Sequence, residues 1–344
     1  VSITDVWPVS AVSKVAEPSR LAEPGGTVRY AVGVRNRGPE RIVLETLVDD
    51  TYGDLNGQGT CRVPEGGVAI DPGESYTCTF GATVSGNAGY REITTVTAVV
   101  SDDEGNRAKG AAGSTVAFTD VPPRVSVKKL AEPPEVPEPG GKVVYTVRVT
   151  NKGVEELALE SLVDDVYGDL DGQGSCFASS EPVLIEPGDD YTCSFPKTVS
   201  GNAGTSKADT VTAVVADDEG NRVKVAARTK VTLGDVLPEI RVSTTATPNR
   251  LPEPGGRAEY RVLVTNTGVE QVVLESLTDD LYGDLDGRGT CLLLSGQVHI
   301  PVDGSYECAF AVDVTGQGGK NRTRTVTAVV YDDEHNRVKS AGSA

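Results

Sequence analysis

A fixed internal period constrains this chain more than any other feature. Cys61, Cys176 and Cys291 recur at intervals of 115 residues, and so do Cys78, Cys193 and Cys308. The same step relates Glu23, Glu138 and Glu253 in "EPGG", and Asp102, Asp217 and Asp332 in "DDE". No net insertion separates one "EPGG" from the next. Such self-similarity defines a tandem array of three units, each long enough to bury a core of its own.

Within a unit the dominant pattern is period two. In "KVVYTVRVT", Val143, Tyr145, Val147 and Val149 share one face, while Val144, Thr146, Arg148 and Thr150 share the other. That alternation predicts a half-buried strand. The counterparts are Val28, Tyr30, Val32 and Val34, then Ala258, Tyr260, Val262 and Val264. The stretches "RVSVKKL", "EELALESLV", "VLI", "YTCSFPKTV", "DTVTAVVA" and "RVKVAARTKVTL" read as further strands, with "EPGDD" and "DDEGN" as turns. About seven strands per unit without a 3.6-residue period predict an all-β fold, a two-sheet antiparallel sandwich of immunoglobulin type. We expect three such domains in tandem, at residues 8–121, 122–236 and 237–344, behind a short segment 1–7. The linkers "DVPP" and "DVLP" are short and proline-bearing, hence semi-rigid, which predicts an elongated rod.

The stretches "VVYTVRVTNKGVEEL" and "AEYRVLVTNTGVEQV" carry a Tyr-x-Val-x-Val-x-Asn-x-Gly strand and turn, with "RYAVGVRNRG" in repeat 1. Together with "PGxxYxCxF", this resembles the immunoglobulin-like repeats of large bacterial and archaeal cell-surface proteins, over all three repeats. The resemblance implies an extracellular structural or adhesive role and no catalytic one.

The cysteines fall two to a repeat with a constant separation, which argues for disulfides Cys61–Cys78, Cys176–Cys193 and Cys291–Cys308. Zinc is the rival reading. It wants about four ligands, and the chain has only His299 and His335 to add. Disulfides imply an oxidising, extracellular compartment. A formal charge of −18 makes nucleic acid and anionic membrane poor partners. No apolar run approaches the ~18 residues that span a bilayer, so membrane insertion is not expected.

Position along the array adds an expectation about assembly. "VSITDVWP" at the start aligns with "VAFTDVPP" and "VTLGDVLP", where the other repeats place their last strand and linker. Repeat 3 stops near the equivalent point. One reading is a piece of a longer stalk. The other is donor-strand complementation: Val1, Ile3 and Val6 of one copy complete repeat 3 of another, head to tail, with Trp7 at the junction. Trp7 reads equally as a linker residue on a local apolar patch.

Two acidic loops recur. The first holds Asp49, Asp50, Asp54 and Asn56 in repeat 1, Asp164, Asp165, Asp169 and Asp171 in repeat 2, and Asp279, Asp280, Asp284 and Asp286 in repeat 3. Carboxylates so close repel unless neutralised. Ca²⁺ is the natural extracellular candidate, since it takes six to eight oxygens from irregular loops, and the glycines let such a loop fold tightly. The second is "DDE" with its following asparagine: Asp102, Asp103, Glu104 and Asn106; Asp217, Asp218, Glu219 and Asn221; Asp332, Asp333, Glu334 and Asn336. A hairpin turn accounts for it as readily as a cation site. In an immunoglobulin sandwich the first loop of one repeat would face the "DDE" turn of the next, beside Asp120 or Asp235. No nucleophile, phosphate loop or metalloprotease motif is present, so no enzyme is expected. The sequence points to a structural subunit of an extracellular filament, polymerising by strand donation and stiffened by calcium and disulfides. The alternative is a segment of a cell-surface adhesin stalk. Its partners would be copies of itself, a cell-surface anchor or a ligand on a host or neighbouring cell.

Overall fold

A computed structural model describes residues 4–176, 183–293 and 297–344. Val1 and Ile3 therefore lie outside the described residues. In repeat 1 the strands are β1 (Ser10–Glu17), β2 (Arg20–Ala22), β3 (Gly25–Asn36), β4 (Ile42–Asp49), β5 (Gly53–Asp54), β6 (Val68–Ile70), β7 (Ser75–Ser85), β8 (Arg91–Ser101) and β9 (Arg107–Thr119). One sheet runs β1-β3-β7. The other runs β2-β9-β8-β4-β5, with β6 also paired to β4. Neighbours are antiparallel except β2, which lies parallel to β9. Repeat 2 has the same order. The all-β, sandwich reading of the sequence is borne out.

Alternation built the cores. Val143, Tyr145, Val147 and Val149 are fully buried, and their counterparts in repeats 1 and 3 are buried too. They face leucines and valines of the second sheet, among them Leu157, Leu159, Leu162, Val211 and Val215. Three separate clusters of this kind exist, one for each repeat. All three disulfides form as the spacing predicts. Each ties the loop beyond β5, or its equivalent, to the strand equivalent to β7.

Gly140 shows why "EPGG" needs its first glycine. Its φ is +136°, and a Cβ there would collide with the Val199 carbonyl on the adjoining strand. The conformation is available to glycine and costly for other residues.

Repeat 3 differs at its far end. The last strand runs thirteen residues in repeats 1 and 2 and seven in repeat 3, Arg337–Ser343. Residues 250–252, where repeats 1 and 2 place a short edge strand, form none. The reason is pairing: that edge strand bonds to the end of the last strand, at Ala117–Thr119 in repeat 1.

Candidate cation sites at the repeat junctions

The first acidic loop is held together one carboxylate at a time. Asp49 is buried at the end of β4. Its Oδ1 accepts from the Thr51 and Tyr52 amides at 3.1 and 3.2 Å, and its Oδ2 takes Lys14 Nζ at 2.6 Å. Asp164 does the same with the Val166 and Tyr167 amides and Lys129, whereas Asp279 Oδ1 takes the Leu281 and Tyr282 amides and Arg324 at 3.4 Å and its Oδ2 is buried without a hydrogen-bond partner. Asp50 and Asp165 accept from the Thr95 and Thr210 amides, which hold their carboxyls below the usual range. Asp54, Asp169 and Asp284 each accept from the amide two residues on. Asn56 and Asp286 accept from the Val63 and Leu293 amides. Asp171 occupies the matching place in repeat 2, and Asp280 follows Asp279. Most of these like charges crowd in sequence and are satisfied separately in space.

In the second loop, Asp102, Asp217 and Asp332 are buried and fold back on the turn. Each accepts from the backbone and side-chain nitrogens of Asn106, Asn221 or Asn336. The same asparagines donate to Asp5, Asp120 and Asp235 in the preceding linkers. This places the turn beside the linker aspartate, as the topology predicts. Asp103 stands against Glu104, whose carboxyl it pushes upward. Asp218 and Asp333 reach across the junction and accept from Asn87 and Asn202 of the preceding repeat.

What faces the "DDE" turn across the junction is the "EPGG" glutamate, not the first acidic loop. Glu23 is buried. Its two oxygens accept from the Val121 amide at 2.7 Å and the Ala88 amide at 2.5 Å, so it ties the linker to its own repeat. Glu138 does this with Val236 and Ala203. Against Glu23 come Glu155 and Glu219 of repeat 2, and against Glu138 come Glu270 and Glu334 of repeat 3. In each set of three, carboxylate oxygens lie within 4.8 Å of one another.

Glu155 and Glu270 are set there by the Asn-x-Gly turn. Asn151 is fully buried. It donates to the Glu155 and Ile185 carbonyls at 2.6 and 2.8 Å and accepts from the Gly153 amide. The turn so pinned ends with Glu155 at the junction, beside a cleft of ≈ 440 Å³ lined by Pro24, Asn87, Glu155, Glu156 and Asp218.

The electrostatics are unfavourable as they stand. Burial first, then the facing Glu23, pushes the Glu155 carboxyl up to about 7. Burial and Glu138 push Glu270 up to about 8, and burial with Asp333 pushes Glu334 up to about 7. One carboxylate oxygen on each of Glu155, Glu270 and Glu334 is buried without a hydrogen-bond partner. Buried polar atoms normally find one.

Glu219 and Glu334 belong to the second acidic loop that the sequence offered as a cation site, but Glu23, Glu138, Glu155 and Glu270 were not among the sequence-derived metal ligands. The signal was available, since Glu23, Glu104 and Glu40 all recur at the repeat period. Only the fold shows that two of them come from one repeat and the third from its neighbour.

No protein-family model and no curated protein matches the chain. Among solved structures, it is similar to one from a study of host cell surface retention by a 1.5-MDa bacterial ice-binding adhesin, at 15% identity over 99% of this chain and 98% of that one, TM-score 0.25. It is also similar to a tetra-tandem repeat from the extending region of a large adhesion protein, at 13% identity over 98% and 74%, TM-score 0.24. A third is a Ca²⁺-stabilized adhesin with which an Antarctic bacterium binds ice, at 17% identity over 97% and 72%, TM-score 0.26. Such values carry no weight for overall arrangement or role, so the fold assignment stands on the sheets and cores above.

Proposed function

We propose that the chain is a load-bearing segment of an extracellular, cell-surface stalk of adhesin type, with divalent cations, calcium foremost, rigidifying the junctions between its repeats. The observation that carries this reading is the meeting of glutamates from two repeats, with buried oxygens that lack a partner. Oxygen-only donors suit a hard cation. The residues fit the group: Glu23, Glu155 and Glu219 would hold it at the first junction, and Glu138, Glu270 and Glu334 at the second. The ion would supply the positive charge that these carboxylates lack, and so favour a docked junction over a loose one. Three disulfides support an oxidising location.

A filament built by strand donation has less in its favour. Repeat 3 already pairs Arg337–Ser343 with Thr325–Tyr331, and Val6 and Trp7 lie exposed at 41% and 64%. The aspartates of the first loop are weaker cation candidates than the junction glutamates: Asp49, Asp50, Asp54, Asp164, Asp165 and Asp169 accept from donors of their own repeat.

The test is a thermal melt and amide exchange of the whole chain in EDTA and in excess Ca²⁺. A cation a hundredfold above its Kd stabilises by about 2.7 kcal/mol. The linker and junction amides should be protected by calcium in the native chain and indifferent to it in the Glu155→Gln/Glu270→Gln variant. Superimposable melts and exchange with and without calcium would refute the reading.

A further inference from the structure

The three repeats share one buried polar position, and repeat 2 fills it differently. In repeat 1 it holds Lys14, Asp49 and Thr94, with Lys14 Nζ donating to both partners. In repeat 3 it holds Thr244, Asp279 and Arg324, with Arg324 on Asp279 at 3.4 Å. Each of these sets contains one cation and one carboxylate. Repeat 2 has Lys129 between two carboxylates, Asp164 at 2.5 Å and Asp209. The three side chains are 0%, 0% and 3% exposed. Tyr145, Tyr167 and Phe195 surround the amine, with ring centres 4.4, 5.5 and 5.5 Å away.

One lysine cannot balance two buried carboxylates, and a surplus charge in such a core is strongly disfavoured. A proton shared by the carboxyls removes it, as when two like groups occupy one site. The result is an amine, a carboxyl and a second carboxyl in contact, dry and held by two sheets.

We propose that Lys129 and Asp209 condense to an isopeptide bond, with Asp164 as the proton carrier. Asp164 takes a proton from the ammonium. The freed Nζ attacks Asp209 Cγ. Asp164 gives its proton to the departing Asp209 hydroxyl, which already carries the carboxyls' shared proton and leaves as water, and Asp164 then takes the second proton from Nζ. The N–C bond forms, a C–O bond breaks and one water leaves. Ammonium plus carboxylate gives amide plus water, with no change in net charge and no oxidant. Contact in a fixed geometry replaces the encounter step, and the apolar surround keeps water from reversing it.

Asp209 is the acylated partner because Asp164 is otherwise engaged. Asp164 Oδ1 accepts from the Val166 and Tyr167 amides at 3.0 Å each, leaving Oδ2 toward Lys129. Its counterparts Asp49 and Asp279 perform that capping in repeats where no third carboxyl exists. Asp209 is what repeat 2 adds.

The bond joins the first strand of repeat 2, Val125–Glu132, to Ser206–Ala216 in the opposite sheet. It bridges residues 80 apart. Pulled from its ends, an unlinked repeat would pay out those residues at ~3.3–3.6 Å each, whereas a linked one would hold them back. The proposal is independent of any cation at the junctions.

Intact mass of the whole chain, reduced and denatured, tests it directly. The native chain should be one water lighter than its sequence, and tandem mass spectrometry of a digest should find a branched peptide joining Lys129 to Asp209. Asp209→Thr, the residue repeat 1 uses, should restore the full sequence mass. A native chain at full sequence mass, or a water loss that maps elsewhere or survives in Asp209→Thr, overturns the proposal. The native measurement needs no variant to fold.

Discussion

Replacing Asp49 with asparagine should destabilise repeat 1 by about 3–5 kcal/mol, the usual cost of removing one partner from a buried ion pair. Both side chains are fully buried, and the Lys14 amine sits 2.6 Å from Asp49 Oδ2 and 4.6 Å over the Tyr30 ring. Asparagine keeps Oδ1, so the Thr51 and Tyr52 amides stay capped. The change then isolates the charge. A ceiling follows from letting the stranded amine lose its proton, which for an ordinary lysine at pH 7 costs about 4.6 kcal/mol. The double variant Lys14→Met/Asp49→Asn removes both charges and should lie within about 1 kcal/mol of the native chain, or above it. Three separate cores do not melt as one unit, so the assay is amide exchange read repeat by repeat, with repeats 2 and 3 as internal references. If Asp49→Asn costs under about 1 kcal/mol, or the double variant is no better than Asp49→Asn, the pair does not act as a buried charge couple.

Acidity should act on the junctions in the opposite sense to the common carboxylate case. Glu155, Glu270 and Glu334 are raised to about 7, 8 and 7 by burial and facing carboxylates. Their contribution to docking is full below the ordinary carboxylate range and is lost as pH rises through about 7 to 8. Without calcium, linker exchange should therefore accelerate across that window beyond its intrinsic base dependence, and a flat ratio would contradict the placement of these groups. Separately, Cys176→Ser/Cys193→Ser opens a loop of separation 17 and should cost repeat 2 about 3 kcal/mol by chain entropy, read by the same exchange measurement.

The sandwich was legible because its signals are local. Val143, Tyr145, Val147 and Val149 announce a buried face by alternation alone, and constant cysteine spacing repeated three times leaves little choice of pairing. The aspartates misled because crowding in sequence is not crowding in space. Asp49, Asp50 and Asp54 sit within six residues, yet their side chains turn to Lys14, the Thr95 amide and the Asn56 amide respectively. Lys129, Asp164 and Asp209 are the reverse case. They lie on three separate strands, and nothing in the neighbourhood of any one marks it as a member of a triad.

The amino-acid order alone determined three units, their strands, their cores and their disulfides, since each follows from periodicity over a few residues or from the 115-residue step. Tertiary structure alone decided the partner of every carboxylate: Lys129 for Asp164, Asn151 as the pin behind Glu155, Glu23 against the glutamates of the next repeat. The physical reason is range. Strand formation depends on neighbours along the chain, whereas charge and hydrogen bonding act over a few ångströms of space, and only folding sets which groups come that close.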